Sequence, residues 1–409
     1  MILRLVALLA ATLLLCPSEA APQDEEDPRT TAWMNMGPFY LTPRVTLSNL
    51  GVDTNVFNQS VEPESDFTFT LAPAVDVWVP FARRALLEVS TTVGMTYYHQ
   101  FASERSIDPG VRGRLEVYLT RLTLSGGGTY LNTRERASYE IDARSRRVED
   151  GYDGGAEIRI YGKVYLEAAG RHLRYRFDSD EVFEGTSLQQ TLNRDSDTVS
   201  ATIRYRWTPL TTIEVRGESI VDRFVYSPAR DTDSFRVMGG ARFRPRAVLN
   251  GAGFVGVRRF TPLSDTLPPY QGLVAQAELS YTLLGATLFR FNALRDVEYS
   301  YEVEQPYYLN DTYGLTISRH VGGQWDTSLG AARSQSSYRD FFTSVTPAVT
   351  DGQSGRVDVT WNYTGSLTYR VSRDGRIGVG VSYYDRTSNV KAYRDYSGLR
   401  AGLVASFGS

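Results

Sequence analysis

The chain has 409 residues but only one cysteine, three histidines and two lysines, and each shortage closes off a kind of chemistry. Cys16 lies in an apolar leader, so cleavage after Ala20 leaves a mature chain with no thiol, no disulfide and no thiolate metal site. His99, His172 and His320 are scattered, without partners at metal-ligand spacing. No G-x-S-x-G elbow and no Walker loop occurs, so we expect no enzyme, no metal and no cofactor. A formal net charge of -3 argues against a nucleic-acid partner. No interior stretch has the composition of a linker, and no run approaches the ~20 apolar residues of a membrane-spanning helix. The segment Gly251–Gly256 matches G-x-G-x-x-G, but the following VGVRRFTPLSDTLPPYQG holds three prolines and no helical period. It fits a strand whose glycines relieve crowding near Phe254 better than a nucleotide loop.

What is present begins with an export signal over residues 1–20. Arg4 leads it, Leu5 to Leu15 form its apolar run, and Ser18-Glu19-Ala20 is a small-x-small cleavage site. Residues 21–37 form a solvated periplasmic lead-in, and 38–409 one β-domain. Period-two alternation dominates from residue 39 onward. In SATIRYRW, Ala201, Ile203, Tyr205 and Trp207 point one way, and Ser200, Thr202, Arg204 and Arg206 the other. RVDVTWNY (356–363) and LVAQAELSY (273–281) repeat the pattern. Short turns are expected at FARR (81–84), LTRL (119–122), YGK (161–163), TPL (208–210), RPR (244–246), LLG (283–285), HVGG (320–323) and SRDG (372–375). Longer polar stretches such as 134–151 and 178–197 lie between them.

Short turns on one side and long loops on the other, with apolar runs of about 9–11 residues, predict an all-β, antiparallel transmembrane barrel. The strand count is about 18 (16–18), an even number that returns both ends to the periplasm. Aromatic pairs at strand ends (Tyr97 and Tyr98, Tyr205 and Trp207, Tyr299 and Tyr301, Tyr383 and Tyr384) are expected to form interfacial girdles. The last strand alternates to Phe407, as in C-terminal strands recognised by outer-membrane assembly machinery, although Gly408 and Ser409 follow it. The predicted location is the outer membrane of a Gram-negative bacterium, in contact with lipid and lipopolysaccharide.

The non-lipid phase of the strands nominates lumen-lining residues Arg204, Arg206, Glu214, Arg216, Glu218, Arg236, Arg242, Glu278, Arg356 and Asp358. Arg204, Arg206, Arg216, Arg236 and Arg242 fall on three consecutive strands. Such a stripe would favour an anionic or hydroxyl-rich polymer. The alternative is that the lumen charges pair and merely solvate a wet wall. A one-residue slip in any strand would reverse its assignment.

In FYLTPRVTLSNLGVDTNVFNQ (39–59), a first strand with an inner proline runs into Gly51, Asp53, Asn55 and Phe57 in the order G-x-D-x-N-x-F. This resembles the outer-membrane β-barrel porins encoded with exopolysaccharide gene clusters. The resemblance implies a conduit for a secreted surface polysaccharide, working with a periplasmic polysaccharide-export protein. The chemistry of Asp53 and Asn55 favours an Asx turn over ion binding. Two other functions remain open. A long inward-folding loop, from 134–151 or 178–197, would favour a general or solute-selective diffusion porin. A lumen plugged by its own side chains would favour a structural or adhesive surface barrel.

Overall fold

Exposure in this protein is inverted relative to a soluble one. Along one strand Val199, Ile203, Tyr205 and Trp207 are exposed while Ser200 and Thr202 are buried, and Phe235, Val255, Val257, Leu273, Leu329 and Val379 are exposed on others. A continuous apolar outside around a polar inside is stable only where the outside meets lipid.

The computed structural model describes residues 32–81, 84–244, 248–340 and 353–408. The signal peptide, most of the lead-in, and Ala82, Arg83, Pro245 and Arg246 of two turns therefore lie outside the described residues. Eighteen strands form the barrel. The first six are β1 (Phe39–Asp53), β2 (Asp66–Phe81), β3 (Ala85–Tyr98), β4 (Ser106–Tyr118), β5 (Leu122–Thr133) and β6 (Arg147–Tyr161). Next come β7 (Val164–Phe177), β8 (Arg194–Thr208), β9 (Thr211–Phe224), β10 (Thr232–Phe243), β11 (Leu249–Pro262) and β12 (Tyr270–Leu283). The last are β13 (Thr287–Tyr299), β14 (Tyr307–Val321), β15 (Trp325–Arg339), β16 (Gln353–Arg370), β17 (Gly375–Ser388) and β18 (Tyr396–Phe407). Each pairs antiparallel with its chain neighbour, and β1 pairs with β18 to close the sheet. Closure leaves no unpaired edge in the hydrocarbon.

The eight connections at one end are two to five residues long and fall at the eight predicted turns. Those at the other end run to seven residues or more, and both termini of the barrel lie at the short-turn end. The end of the lead-in is structured: Met34–Met36 pairs with Phe39–Leu41 of β1, and Trp33 sits edge-on to Phe407 with centroids 6.0 Å apart.

The β1–β18 seam is short and irregular. Seven residue pairs join it, with a register shift between Leu47 and Leu50, where Asn49 takes a φ of 54°. Across this bulge the backbones approach so closely that a Cβ at Gly51 would lie 2.0 Å from the Ala401 carbonyl oxygen. Only glycine fits there.

The girdle expectation holds for Tyr205 with Trp207 and for Tyr383, and fails for Tyr98, Tyr299, Tyr301 and Tyr384. Tyr205, Trp207 and Tyr383 are exposed on the outside. Tyr98 and Tyr301 are buried, and the Tyr299 and Tyr384 hydroxyls donate to Asp222 and Asp53. Adjacent strand residues alternate faces, so one of Tyr97 and Tyr98, and one of Tyr383 and Tyr384, must turn away from the lipid, whereas Tyr205 and Trp207, two residues apart, share the outer face.

Candidate functional site

Among the described residues, several of the long loops fold inward and brace one another across the mouth. The β5–β6 loop (134–146) carries Glu140, Ile141 and Asp142, each at most 4% exposed. Asp142 accepts from Arg386 on β17 (2.7 Å) and from Arg394 in the β17–β18 loop (3.0 Å). Glu140 accepts from the Ser300 hydroxyl (2.6 Å) and the Tyr301 amide in the β13–β14 loop. That loop lies eight strands away around an 18-strand barrel, nearly the full diameter. The β7–β8 loop contributes a short hairpin (Val182–Phe183 with Thr186–Ser187) and the helix α1 (Leu188–Leu192). Phe183, Leu188 and Leu192 pack with Ile141, Phe177 and Tyr301 in an apolar cluster under the loops. Arg230 in the β9–β10 loop donates to the Ser300 and Glu302 carbonyls. Burial raises the Glu140 carboxyl to about 7 against the Ser300 hydrogen bond and the charges of Arg356 and Arg386.

The nominated residues divide between this mouth and the lumen below it. Arg356 and Asp358 belong to the mouth: Arg356 is 1% exposed, bonds Asp358 (2.6 Å) and Glu302 (3.1 Å), and stacks on Tyr338. Asp358 also takes Arg386 (2.7 Å). The basic stripe lies lower and is largely neutralised. The Arg204 guanidinium sits among Glu157, Glu167 and Glu214. Arg242 bonds Glu214 (3.0 Å), and Arg236 bonds Glu218 (2.6 Å) and Asp296 (2.5 Å). Arg216 lies 3.5 Å from Glu218, Arg258 bonds Asp296 (2.7 Å), and Arg206 stacks on Tyr165. The stripe is therefore not an open run of positive charge. Strand neighbours i and i+2, and positions across the ladder, place acids of the same phase within reach of each arginine.

Below the mouth a chamber of about 980 Å³ remains open. Arg112, Arg114, Arg171, Arg216, Arg236, Arg242, Arg244 and Arg290 line it, against Glu88, Glu218 and Glu278. The carboxylates behind the stripe are covered by their arginines. Glu214 and Glu218 side chains are 1% and 4% exposed, against 26%, 21% and 20% for Arg242, Arg216 and Arg236. Phe254 projects into the chamber with Arg216 and Arg242 over its ring, and it lies over Gly240, where a Cβ would sit 2.6 Å from its Cδ1.

The motif residues belong to the seam. Asp53 is 1% exposed; its Oδ1 accepts from the Asn55 amide (3.1 Å), an Asx turn, and its Oδ2 from Arg400 on β18 (2.7 Å). The Asn55 side chain donates to the Ser397 carbonyl, Phe57 packs edge-on against Phe101, and Gly51 sits at the close approach described above. Their role is to tie the first loop to the last strand. Among the described residues no group of side chains has metal-binding geometry. His172 and His320 each hydrogen-bond an aspartate.

Sequence reasoning missed the mouth residues Glu140, Asp142, Arg386 and Arg394, and the chamber residues Arg112 and Arg171. The last two carry a signal, because Arg112 shares the phase of Arg114 and Glu116, and Arg171 that of Glu167. The loop residues have no periodicity that could mark them.

A closed, lipid-facing barrel with an open, charged interior defines a transmembrane barrel of the outer-membrane type. Residues 27–406 match the family described as "Putative beta-barrel porin 2", and the chain belongs to that family. It is an outer-membrane β-barrel porin. No curated protein matches the chain. Among solved structures it is similar to Pseudomonas aeruginosa OccK3 (OpdO), with 12% identity, 90% of this chain and 95% of that chain covered, and a TM-score of 0.46. It is also similar to P. aeruginosa OpdK (10% identity, 90% and 98% covered, TM-score 0.45) and to the ferric enterobactin receptor PfeA (9%, 89% and 72%, 0.44).

Proposed function

We propose that this protein is a diffusion porin for small polar solutes. The observation that carries this reading is the β5–β6 loop, which crosses the mouth and buries Glu140 and Asp142 against elements on the opposite wall. An inward loop narrows a wide barrel to the width of a small solute. An exported polysaccharide, which the first-strand motif implies, needs a continuous bore where that loop now lies. A purely structural barrel would have no use for the open chamber beneath the loop.

The test is reconstitution of the detergent-extracted, heat-modifiable full chain. Planar bilayers should show stepwise conductance, and liposomes should swell in small sugars or amino acids but not in oligosaccharides. A silent bilayer, together with loss of surface polysaccharide in a deletion strain that still synthesises it, would replace this reading with polymer export.

A further inference from the structure

Of the arginines that line the chamber, Arg114, Arg216, Arg236 and Arg242 each have a carboxylate within ion-pair distance. Arg112 on β4, Arg171 on β7 and Arg290 on β13 all line the chamber and are exposed to its water. Unlike Arg204, Arg236 or Arg242, none has a carboxylate within ion-pair distance among the described residues. β4 and β13 are nine strands apart in an 18-strand barrel, so Arg112 and Arg290 stand on opposite walls and a passing solute must move between them.

From this placement we propose that the chamber is a binding site for small organic anions bearing carboxylates, an inference that rests on the porin reading. A guanidinium fork matches a carboxylate in two parallel hydrogen bonds, and an unpaired fork has donors to offer. The acids of the wall oppose this weakly. Glu218 lies beneath Arg216 and Arg236, which leaves Glu88 and Glu278 as the opposing groups at the chamber surface. A solute there meets guanidinium first, and charges of one sign on a pore wall select permeants of the other.

The test uses the full-length protein in planar bilayers, with reversal potentials in a potassium chloride gradient and titration of the current with succinate. The wild type should prefer chloride over potassium, and succinate should reduce the chloride current in a saturable way. The triple variant Arg112→Gln, Arg171→Gln, Arg290→Gln should lower the anion-to-cation permeability ratio severalfold and abolish the succinate effect. Its heat-modifiable migration should be unchanged, because none of the three is a structural ion-pair partner. The triple Arg→Lys variant should retain anion preference but bind succinate more weakly, since lysine keeps the charge and loses the fork. A conducting wild type without anion preference or succinate block would overturn the anion site and leave the porin standing. So would a triple glutamine variant indistinguishable from wild type. A wild type that never conducts would overturn the porin reading, and this site with it.

Discussion

The mouth and the chamber of this barrel use the same side chain for opposite ends. In the mouth, Arg356, Arg386 and Arg394 are almost fully buried, and their guanidiniums bond Asp142, Asp358 and Glu302. In the chamber, Arg112, Arg171 and Arg290 are exposed and have no carboxylate within ion-pair distance among the described residues. A buried, paired arginine fixes geometry, because removing either partner strands a charge away from water. An exposed, unpaired one fixes little and remains available to a ligand. The stripe around Arg204 lies between the two, facing the lumen but with Arg204, Arg216, Arg236 and Arg242 already held by carboxylates.

The largest expected effect comes from breaking a paired cluster. Arg204→Gln leaves Glu157, Glu167 and Glu214 without their common cation. We expect a loss on the order of 3–5 kcal/mol, as for removal of one partner of a buried ion pair. It would be read as a lowered temperature for the heat-modifiable gel shift, and an unshifted midpoint would show that water reaches those carboxylates freely. Asp142→Asn comes next. It removes the negative charge shared by Arg386 and Arg394 and one of its two acceptor oxygens, so the β5–β6 loop should loosen and single-channel conductance should rise. Unchanged conductance would mean that the other braces hold the loop without it.

The mouth should also respond to pH. In the braced state burial raises the Glu140 carboxyl to about 7, whereas a loop released into water returns it to the ordinary value of 4.5. The braced state therefore binds the proton more tightly. Its advantage is complete below pH 4.5 and is lost as pH rises through 7, up to about 3 kcal/mol. Conductance should rise as pH is raised from 4.5 through 7, and Glu140→Gln, which cannot ionise, should keep the low-pH level throughout. If the variant follows the wild-type curve, another group controls the loop. The smallest effect is expected at Arg223→Gln. Its pair with Asp233 is 40% and 51% exposed, so stability should change by less than ~0.5 kcal/mol in the same gel-shift assay.

The barrel was legible in the sequence because a strand with lipid on one face and water on the other must alternate at period two. That constraint acts on every residue of a strand, so the eight turns, the strand count and the facing of Ile203, Tyr205 and Trp207 could all be read before any coordinates. Pairing was less legible. The phase places Arg236 inside, but only the fold brings Asp296 across from β13 to meet it. The mouth was illegible: Asp142 is one aspartate in a polar loop, and nothing near it in the chain marks Arg386 or Arg394 as its partners. The first-strand motif pointed to the porin family but not to its cargo. Asp53 and Asn55 stand out because a tight turn beside the closing strand needs them, and that need is common to barrels that carry different cargo.

The seam between β1 and β18 sets the order in which such a molecule can be made. Residue 45 pairs with residue 407, so the first strand to be synthesised waits for the last. Until then the growing sheet has two open edges, and an open edge invites pairing with any other chain. Bringing together ends separated by hundreds of residues is slow, and the joint they form has seven residue pairs where the β16–β17 ladder has thirteen. The last bond formed in assembly is thus also among the weakest ladders in the finished wall. An assembly factor that shields those two edges, and releases them only to each other, would act at the step where this chain is most exposed to aggregation.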